Sequence, residues 1–265
     1  MEIPVFVYFF ISIYPVAVII ESLYSYYHNK GYYDVKDTLI NFALGGIAII
    51  FRILTKGMWL ALWMYLYQFA PFKIAQNVWS WILLFFCNEF LYYWFHRWSH
   101  ENGVLWAIHV NHHSSEKMNF TNAARVPFLN FILHNTFWIP LLFIGFNPLM
   151  IFTVETAGFL FAFIQHTQVI KRIPVFELIF NSPSHHRVHH ASNPEYINKN
   201  YGSVLIIFDR MFGTFKEEDE GITIKFGLSK NIYSYNLLKV IFHEWRNIFK
   251  SSEKRGSALQ QKQKV

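Results

Sequence analysis

Histidine is the residue type in this sequence whose spacing points to chemistry. Of the 13 histidines among 265 residues, eight fall into one HxxxH group and two HxxHH groups. Side chains three or four positions apart share one face of a helix, about 5–6 Å between Cβ atoms, so neighbouring imidazoles can bind one metal ion. The three groups are His96 and His100; His109, His112 and His113; and His186, His189 and His190.

Eight imidazoles exceed what one metal ion takes, because a structural zinc site needs four protein ligands and a catalytic one usually three. The sequence therefore predicts a centre with two metal ions. His166, at the end of an apolar helix, is predicted to be a ninth ligand. His185 directly precedes the third group, and the spacing leaves open whether it binds metal or supports a ligand. We expect His134 to pack inside a helix bundle and His28 and His243 to meet solvent or lipid headgroups.

Imidazole suits zinc, copper, iron and nickel, so the ligand type alone does not name the metal. Two divalent ions held by neutral ligands keep about four uncompensated positive charges, which favours bound hydroxide or oxo bridges. A pair of iron ions in such a site can reduce O2 and take hydrogen from an unactivated C–H bond. We therefore expect O2-dependent oxidation of an acyl or alkyl chain drawn from a bilayer.

The composition indicates a membrane protein. Apolar residues make up 53% of the sequence and charged residues only 15%, against about 25% charged in soluble domains. The net charge of +6 fits basic loops on the cytoplasmic side of a membrane rather than nucleic-acid binding. Cys87 is the single cysteine, so the fold does not depend on an internal disulfide.

The apolar runs predict an all-α bundle of about four to five membrane helices, capped by a cytosolic helical domain that carries the histidines. The first run lacks the basic segment and cleavage site of a signal peptide, so we expect it to be retained. The expected helices are Ile3–Tyr27, Thr38–Tyr67, Val78–His100, Pro127–Phe146 and Pro148–Thr167. The last two are only just long enough to span, and a hairpin that enters part-way is the alternative.

Four segments are predicted along the chain. Residues 1–76 form N-terminal membrane helices, and residues 77–216 form the catalytic core with its histidine cap. Residues 217–250 form a C-terminal cytosolic or interfacial segment, in which 232–249 is either an amphipathic helix on the membrane surface or a packed helix. Residues 251–265 form a polar, basic tail that we expect to be disordered.

Membrane topology gives a second argument for a shared site. If the spans alternate from an outside N-terminus, all three histidine groups fall on one side of the membrane. That side also holds most of the basic loop residues, whereas the opposite loops hold essentially only Lys73. Basic loops mark the cytoplasmic side. The histidine site is therefore expected to face the cytosol in a multi-pass protein.

The order HxxxH, HxxHH, HxxHH resembles the fatty acid hydroxylase and sterol desaturase superfamily of membrane di-iron enzymes. The resemblance covers about residues 77–215 and is most specific to the alkylglycerol monooxygenase subgroup. It is carried by the runs EFLYYWFHRWSHE, NHHSSE, QHTQVI, SPSHHRVHH and KNYGSVLIIFDRMFGTF. It implies a site with two iron ions, whose ligands are the eight grouped histidines. His166 also matches a histidine of that subgroup.

The resemblance also implies supporting roles for other residues. Glu101 follows the first histidine pair as it does in that subgroup, where it would be a supporting carboxylate. Glu89 is a supporting candidate from its spacing, because it shares the helix face of that pair. Asn200 and Asp209 lie in the tail motif, where we expect them to support the third group by hydrogen bonds to its imidazoles. The subgroup implies tetrahydrobiopterin as reductant and an ether-linked carbon as the site of hydroxylation. No Gly-rich dinucleotide motif is visible, so electrons are expected from an external protein or small reductant.

The main hypothesis is thus a membrane-bound lipid hydroxylase, with a fatty acyl, alkyl-ether or sterol-like substrate. A lipid or sterol desaturase is the alternative with the same site, because both reactions begin with hydrogen abstraction. A metal transporter is the alternative outside enzymes. Transport needs ionisable residues along the path through the bilayer. The predicted spans hold few of them, chiefly Glu21, Arg52, Glu89 and Glu155.

Overall fold

The computed structural model describes residues 5–248, with side chains from residue 12 onward. Over that range the protein is helical, and its only extended pairings are two isolated bridges, Phe180–Leu205 and Ala191–Phe226. The predicted all-α class is therefore confirmed. The tail 251–265 lies outside the described residues.

Two long helices open the fold. Helix α1 covers Val5–Tyr27, and α2 covers Val35–Tyr67 after Asp34, whose side chain accepts the amide of Asp37. Apolar side chains along α2, such as Ile53 and Leu54, are two-thirds or more exposed, so they are placed to face lipid. Among the described helices, α2 and α7 (Pro148–Gln165) are long and apolar enough to cross a membrane. This supports a membrane protein.

Helix α3 (Val78–Glu101) carries the first histidine pair in its last two turns. A capping box between Asn77 and Ser80 begins the helix. Asn102 both ends α3 and caps α4 (Gly103–His113), since its side chain accepts the amides of Val104 and Leu105. With only Asn102 between the helices, the second histidine group folds back beside the first.

The predicted helix Pro127–Phe146 is wrong in detail. The structure forms two short helices there, α5 (Asn130–Phe137) and α6 (Ile139–Ile144), broken at Trp138. The cause is Pro140, which has no N–H to donate to the preceding turn. Gly145, with φ of 105°, ends α6. Helix α7 then runs back to Gln165, so that His166 lies directly at its C-terminal end.

The remaining elements are short. Helix α8 (Pro183–His190) carries the third histidine group, and all eight of its residues are buried. Helix α9 covers Ile207–Met211, and residues 237–248 are helical. Three 3₁₀ helices cover Phe120–Ala124, Phe176–Leu178 and Pro194–Tyr196. A helix as polar as α8 can be buried only where neighbouring elements supply partners for its polar side chains.

Four apolar clusters hold the described elements together, and three of them involve the long helices. The largest joins α2, α3, α6 and α7 around Trp63, Leu84 and Trp138. The second packs Tyr93 of α3 against Tyr201 and Phe208. The third, which includes Leu44, Val240 and Ile241, packs the 237–248 helix against α2. The first two clusters fix the C-terminal end of α3, where the histidines begin.

Candidate metal centre

The structure brings nine histidines together in two adjacent clusters. Within each cluster the candidate ligand nitrogens all lie within 4.8 Å of one another. We call them the five-histidine cluster and the four-histidine cluster. The first consists of His96, His100, His109, His113 and His189, and the second consists of His112, His166, His186 and His190.

The clusters do not follow the sequence groups. Helix α4 contributes His109 and His113 to the five-histidine cluster but His112 to the other. Helix α8 does the reverse, with only His189 in the five-histidine cluster. Each HxxHH motif therefore lies between the two clusters and contributes candidate ligands to both of them. His166, at the end of α7, completes the four-histidine cluster.

In both clusters the Nε2 atoms converge. In the five-histidine cluster, Nε2 of His109 lies 3.2 Å from Nε2 of both His96 and His113. In the four-histidine cluster, Nε2 of His186 lies 3.0 Å from that of His166 and 3.1 Å from that of His190. The rings thus present the same nitrogen to a common centre, as metal-binding imidazoles do.

Backbone carbonyls orient four of these rings through the opposite nitrogen. Nδ1 of His96 lies 2.8 Å from the carbonyl of Tyr201, and Nδ1 of His189 lies 2.9 Å from that of Lys199. Nδ1 of His112 contacts the carbonyl of Arg125 at 3.1 Å, and that of His166 contacts the carbonyl of Ala162 at 2.8 Å. Because a carbonyl only accepts, each Nδ1 carries the proton and each Nε2 keeps its lone pair for a metal.

Burial keeps the imidazoles neutral. It lowers the pKa of His112 to about 4 and that of His166 to about 3. The pKa values of His186, His189 and His190 fall well below the usual value, first through burial and then through neighbouring imidazoles. A neutral imidazole is the form that binds metal.

The donor set fits metal ions. Nε2 of His100 and Nε2 of His189 are buried and have no hydrogen-bond partner among the described residues. Leaving such atoms buried and unpaired is costly, and a metal ion would satisfy both. The two clusters, each made only of imidazole, therefore point to a metal cofactor. Imidazole does not by itself select iron.

His185 lies apart from both clusters. Its Nε2 is 3.8 Å from a carboxylate oxygen of Glu177, and its ring contacts Phe215. Glu177 also accepts the hydroxyl of Ser182, the N-cap of α8. His185 is therefore placed to support α8. Glu101 forms an exposed ion pair with Arg97 at 2.9 Å and is in neither cluster.

The expected hydrogen bonds from Asn200 and Asp209 to imidazoles are not present. Asp209 instead accepts the amides of Tyr201 and Gly202, both at 2.7 Å. Asn200 donates to the carbonyls of His185 and Lys216. Asp209 therefore supports the histidines indirectly. It fixes the peptide segment whose Tyr201 carbonyl accepts a hydrogen bond from Nδ1 of His96.

Glu89 acts in the same indirect way. Its carboxylate accepts the amides of Val204 and Leu205, at 2.8 and 2.9 Å. Glu89 and Asp209 thus hold the two ends of one short segment, residues 201–205, that passes beside the five-histidine cluster. The ring of Tyr201 in this segment lies 5.3 Å from the ring of His100, measured between centroids.

Sequence reasoning missed the buried network around Arg125. Its guanidinium donates to Asp37 and Asn41 of α2, to the carbonyl of Asn111 in α4, and to the hydroxyl of Ser114. Burial lowers the pKa of Arg125, and Asp37 opposes that shift. The network fixes the position of the Arg125 carbonyl, which accepts a hydrogen bond from Nδ1 of His112. No local motif marks it, because Asp37 and Arg125 are 88 residues apart.

The other histidines lie outside the clusters. His134 stacks on Trp138 and lies 3.4 Å from Glu155, in keeping with the predicted packing role. His28 is exposed and contacts the ring of Tyr24. His243 is half-buried on the 237–248 helix, where its Nδ1 contacts the carbonyl of Val240.

Curated relatives are similar in sequence to this chain over half or more of its length. It is 36% identical to alkylglycerol monooxygenase of Homo sapiens over 216 residues, 80% of this chain and 48% of that protein. It is 35% identical to the Xenopus tropicalis enzyme of the same name over 239 residues, 88% of this chain and 51% of that protein. It is 34% identical to ornithine lipid hydroxylase OlsE of Rhizobium tropici over 145 residues, 52% of this chain and 44% of that protein.

The chain thus spans about half the length of these relatives. No solved structure matches it significantly. The sequence model of the family described as fatty acid hydroxylase matches residues 81–214, half of the chain. That range contains every residue of both histidine clusters. On this match, the chain belongs to the fatty acid hydroxylase family.

Proposed function

We propose that this protein is a membrane-bound oxygenase that uses O2 to hydroxylate a C–H bond of a lipid, with two iron ions held by the two histidine clusters. The observation that carries the proposal is the convergence of nine neutral imidazoles on two adjacent centres. The alkylglycerol monooxygenases and the ornithine lipid hydroxylase among the relatives support a lipid as substrate. A bound iron pair would supply the activation of O2 that the oxidation of an unactivated C–H bond requires.

The chain's own residues would do three things for that chemistry. Nε2 atoms from α3, α4, α8 and the end of α7 would hold the ions. Backbone carbonyls would fix the rings by accepting their Nδ1 protons. Burial would keep the imidazoles neutral and limit the access of water, which protects a reactive centre from side reactions.

The proposed setting is a multi-pass membrane protein whose histidine site faces the cytoplasm. The support for several spans is the outward-facing apolar surface of α2 together with the apolar length of α7. The support for the cytoplasmic side is the basic character of the loops that carry the histidines. Electrons would come from a separate redox protein or a small reductant, and tetrahydrobiopterin is the candidate that the resemblance to the alkylglycerol monooxygenase subgroup implies.

The decisive experiment combines metal analysis with lipid mass spectrometry. The full chain, purified in detergent, should contain about two iron atoms per molecule. Membranes from cells that express it under ¹⁸O2 should contain a lipid with one added labelled oxygen. A lipid that lacks two hydrogens and gains no oxygen would instead support a desaturase.

His189→Ala removes a ligand of the five-histidine cluster and should abolish the product and lower the iron content. The matched control is His28→Ala, which removes an exposed histidine far from both clusters in the sequence. It should keep iron and product at the wild-type level. Wild-type protein with full iron and no oxidised lipid, or product that survives in His189→Ala, would refute the proposed function.

A further inference from the structure

The five-histidine cluster forms one wall of a cavity of about 950 Å³. His100, His113 and His189 line it, together with His190 of the other cluster. Much of the remaining wall comes from the C-terminal part of the described chain, from residues 227–232 and from the helix 237–248. Ligand sites usually measure about 300–1,000 Å³, so the cavity is large enough for a lipid headgroup and the start of its chain.

The wall has an apolar part and a basic part. Trp106 and Val110 of α4 and Leu238 and Phe242 of the 237–248 helix supply apolar surface beside the histidines. The cationic side chains on the wall are Lys230, Lys239 and Arg246, whereas Glu244 is the only carboxylate that the described residues contribute to it. An amphiphile with an apolar chain and an anionic group matches this division.

Within the part of the chain that the structure describes, the basic side chains of this wall have no anionic partner. Among the described residues, Lys230, Lys239 and Arg246 form no ion pair with a carboxylate. Glu244 accepts a hydrogen bond from Asn247 instead. Nε2 of His243, which also lines the cavity, is buried without a hydrogen-bond partner. The wall therefore presents unpaired cations and an unpaired imidazole nitrogen.

The fold keeps these groups turned toward the cavity. Val240 and Ile241 of the 237–248 helix are buried in the cluster that includes Leu44 of α2. Leu238, Lys239, Phe242 and Arg246 on the same helix remain exposed and line the cavity. Packing of one helix face on α2 thus leaves the amphiphilic face beside the histidines.

We infer that this cavity is the substrate site and that it selects a lipid with an anionic headgroup, such as a phosphate. The headgroup binds at Lys230, Lys239 and Arg246, and the chain passes Trp106 and Phe242 toward the histidines. Cations that point at a partly enclosed site bind phosphate by charge-assisted hydrogen bonds. This inference rests on the proposed function, because it names the substrate class of the same site.

The test measures binding of two lipids that share one fluorescent acyl chain. The anionic probe is a lysophosphatidic acid and the neutral probe is a monoacylglycerol, both added to the metal-loaded full chain in an uncharged detergent. The wild type should bind the anionic probe about tenfold more tightly, as expected for charged hydrogen bonds in a partly enclosed site. The preference should shrink as salt is added.

The double variant Lys230→Gln with Lys239→Gln should lose most of this preference and keep its iron, thermal midpoint and affinity for the neutral probe. The matched control, Lys30→Gln with Lys171→Gln, removes two exposed lysines that do not line the cavity. It should bind both probes like the wild type. Equal wild-type affinities for the two probes, or an equal loss in both double variants, would overturn the inference.

Binding and turnover separate this inference from the proposed function. A preference for the anionic probe without any oxidised lipid would leave the inference standing and remove the proposed function. Oxidised lipid without a preference for the anionic probe would support the proposed function and overturn the inference. If the lysine variant instead requires more reductant while its lipid binding is unchanged, the cavity serves the reductant and the inference is wrong.

Discussion

The two ring nitrogens of four cluster histidines have separate tasks in this protein. In His96, His112, His166 and His189, Nδ1 donates to a backbone carbonyl, and Nε2 points to a cluster. This arrangement fixes the tautomer, because a carbonyl oxygen only accepts. Residues that hold those carbonyls in place therefore influence metal affinity without touching the metal.

Asp209 offers a test at the residue scale. Asp209→Asn keeps the size of the side chain but replaces one acceptor of the Tyr201 and Gly202 amides with a donor. The Tyr201 carbonyl should shift, and with it His96. We expect iron affinity to fall about tenfold, within the range seen when supporting residues of metal sites are changed. Titration of the purified protein with a competing chelator measures this.

Asp219→Asn is the matched control, because Asp219 is exposed and its side chain accepts, among the described residues, only the nearby amide of Gly221. It should bind iron like the wild type. If Asp209→Asn retains full iron affinity while folded, the Tyr201 carbonyl does not control His96, and the indirect support assigned to Asp209 is wrong.

At the element scale, helix geometry explains how one HxxHH motif serves two metal positions. Each residue advances about 100° around a helix, so the fourth residue after a histidine lies about 40° to one side and the third about 60° to the other. In α4, His109 and His113 point to one cluster and His112 to the other. In α8, His186 and His190 point to one cluster and His189 to the other. Both helices therefore lie between the two positions.

The position of the 3₁₀ helix Phe120–Ala124 against α2 gives a prediction at the same scale. A Cβ added at Gly45 would lie 2.9 Å from the carbonyl oxygen of Ala124, whereas one added at Gly46 meets nothing within 4 Å. Gly45→Ala should therefore push away the segment that leads into Arg125. We expect a loss of about 1–3 kcal/mol of unfolding free energy, typical of overpacking, with weaker iron binding.

Gly46→Ala, one residue away, is the matched control and should be neutral or stabilising by up to about 1 kcal/mol, because alanine favours helices more than glycine does. Thermal unfolding in detergent and iron content measure both variants. Equal effects of the two substitutions would show that contact between α2 and the Phe120–Ala124 segment does not position the Arg125 network.

At the scale of the whole molecule, the histidines make the metal-free protein sensitive to acid. Burial lowers the pKa of His112 to about 4 and of His166 to about 3, whereas an unfolded histidine has a pKa of about 6.5. Between these values the unfolded chain binds more protons than the folded one, so stability rises with pH. The contribution is fully present above about pH 6.5 and is lost as the pH falls toward 4.

We therefore expect the thermal midpoint of the metal-free protein in detergent to decrease steadily from pH 7 to pH 5. The variant His112→Gln with His166→Gln should show a shallower decrease, because it lacks two of the groups that protonate on unfolding. A midpoint that is constant across this range, or an equally steep decrease in the variant, would contradict the assignment of buried neutral imidazoles.

The sequence alone determined the all-α class, the positions of α2, α3 and α7 within a few residues, and the nine histidines. These properties are local: apolar run length sets a helix, and helical spacing brings histidines to one face. The break at Trp138 was missed, because a single proline acts against an otherwise continuous apolar run.

Only the tertiary structure decided which histidines share a cluster and what holds them. Helical spacing separates His112 from His109 and His113, but which histidines of other helices each one joins depends on how α4 lies against α8. The Arg125 network joins residues 88 positions apart. The cavity beside the histidines likewise exists only because the 237–248 helix packs on α2. Such contacts depend on packing between distant segments, and no periodicity within one segment encodes them.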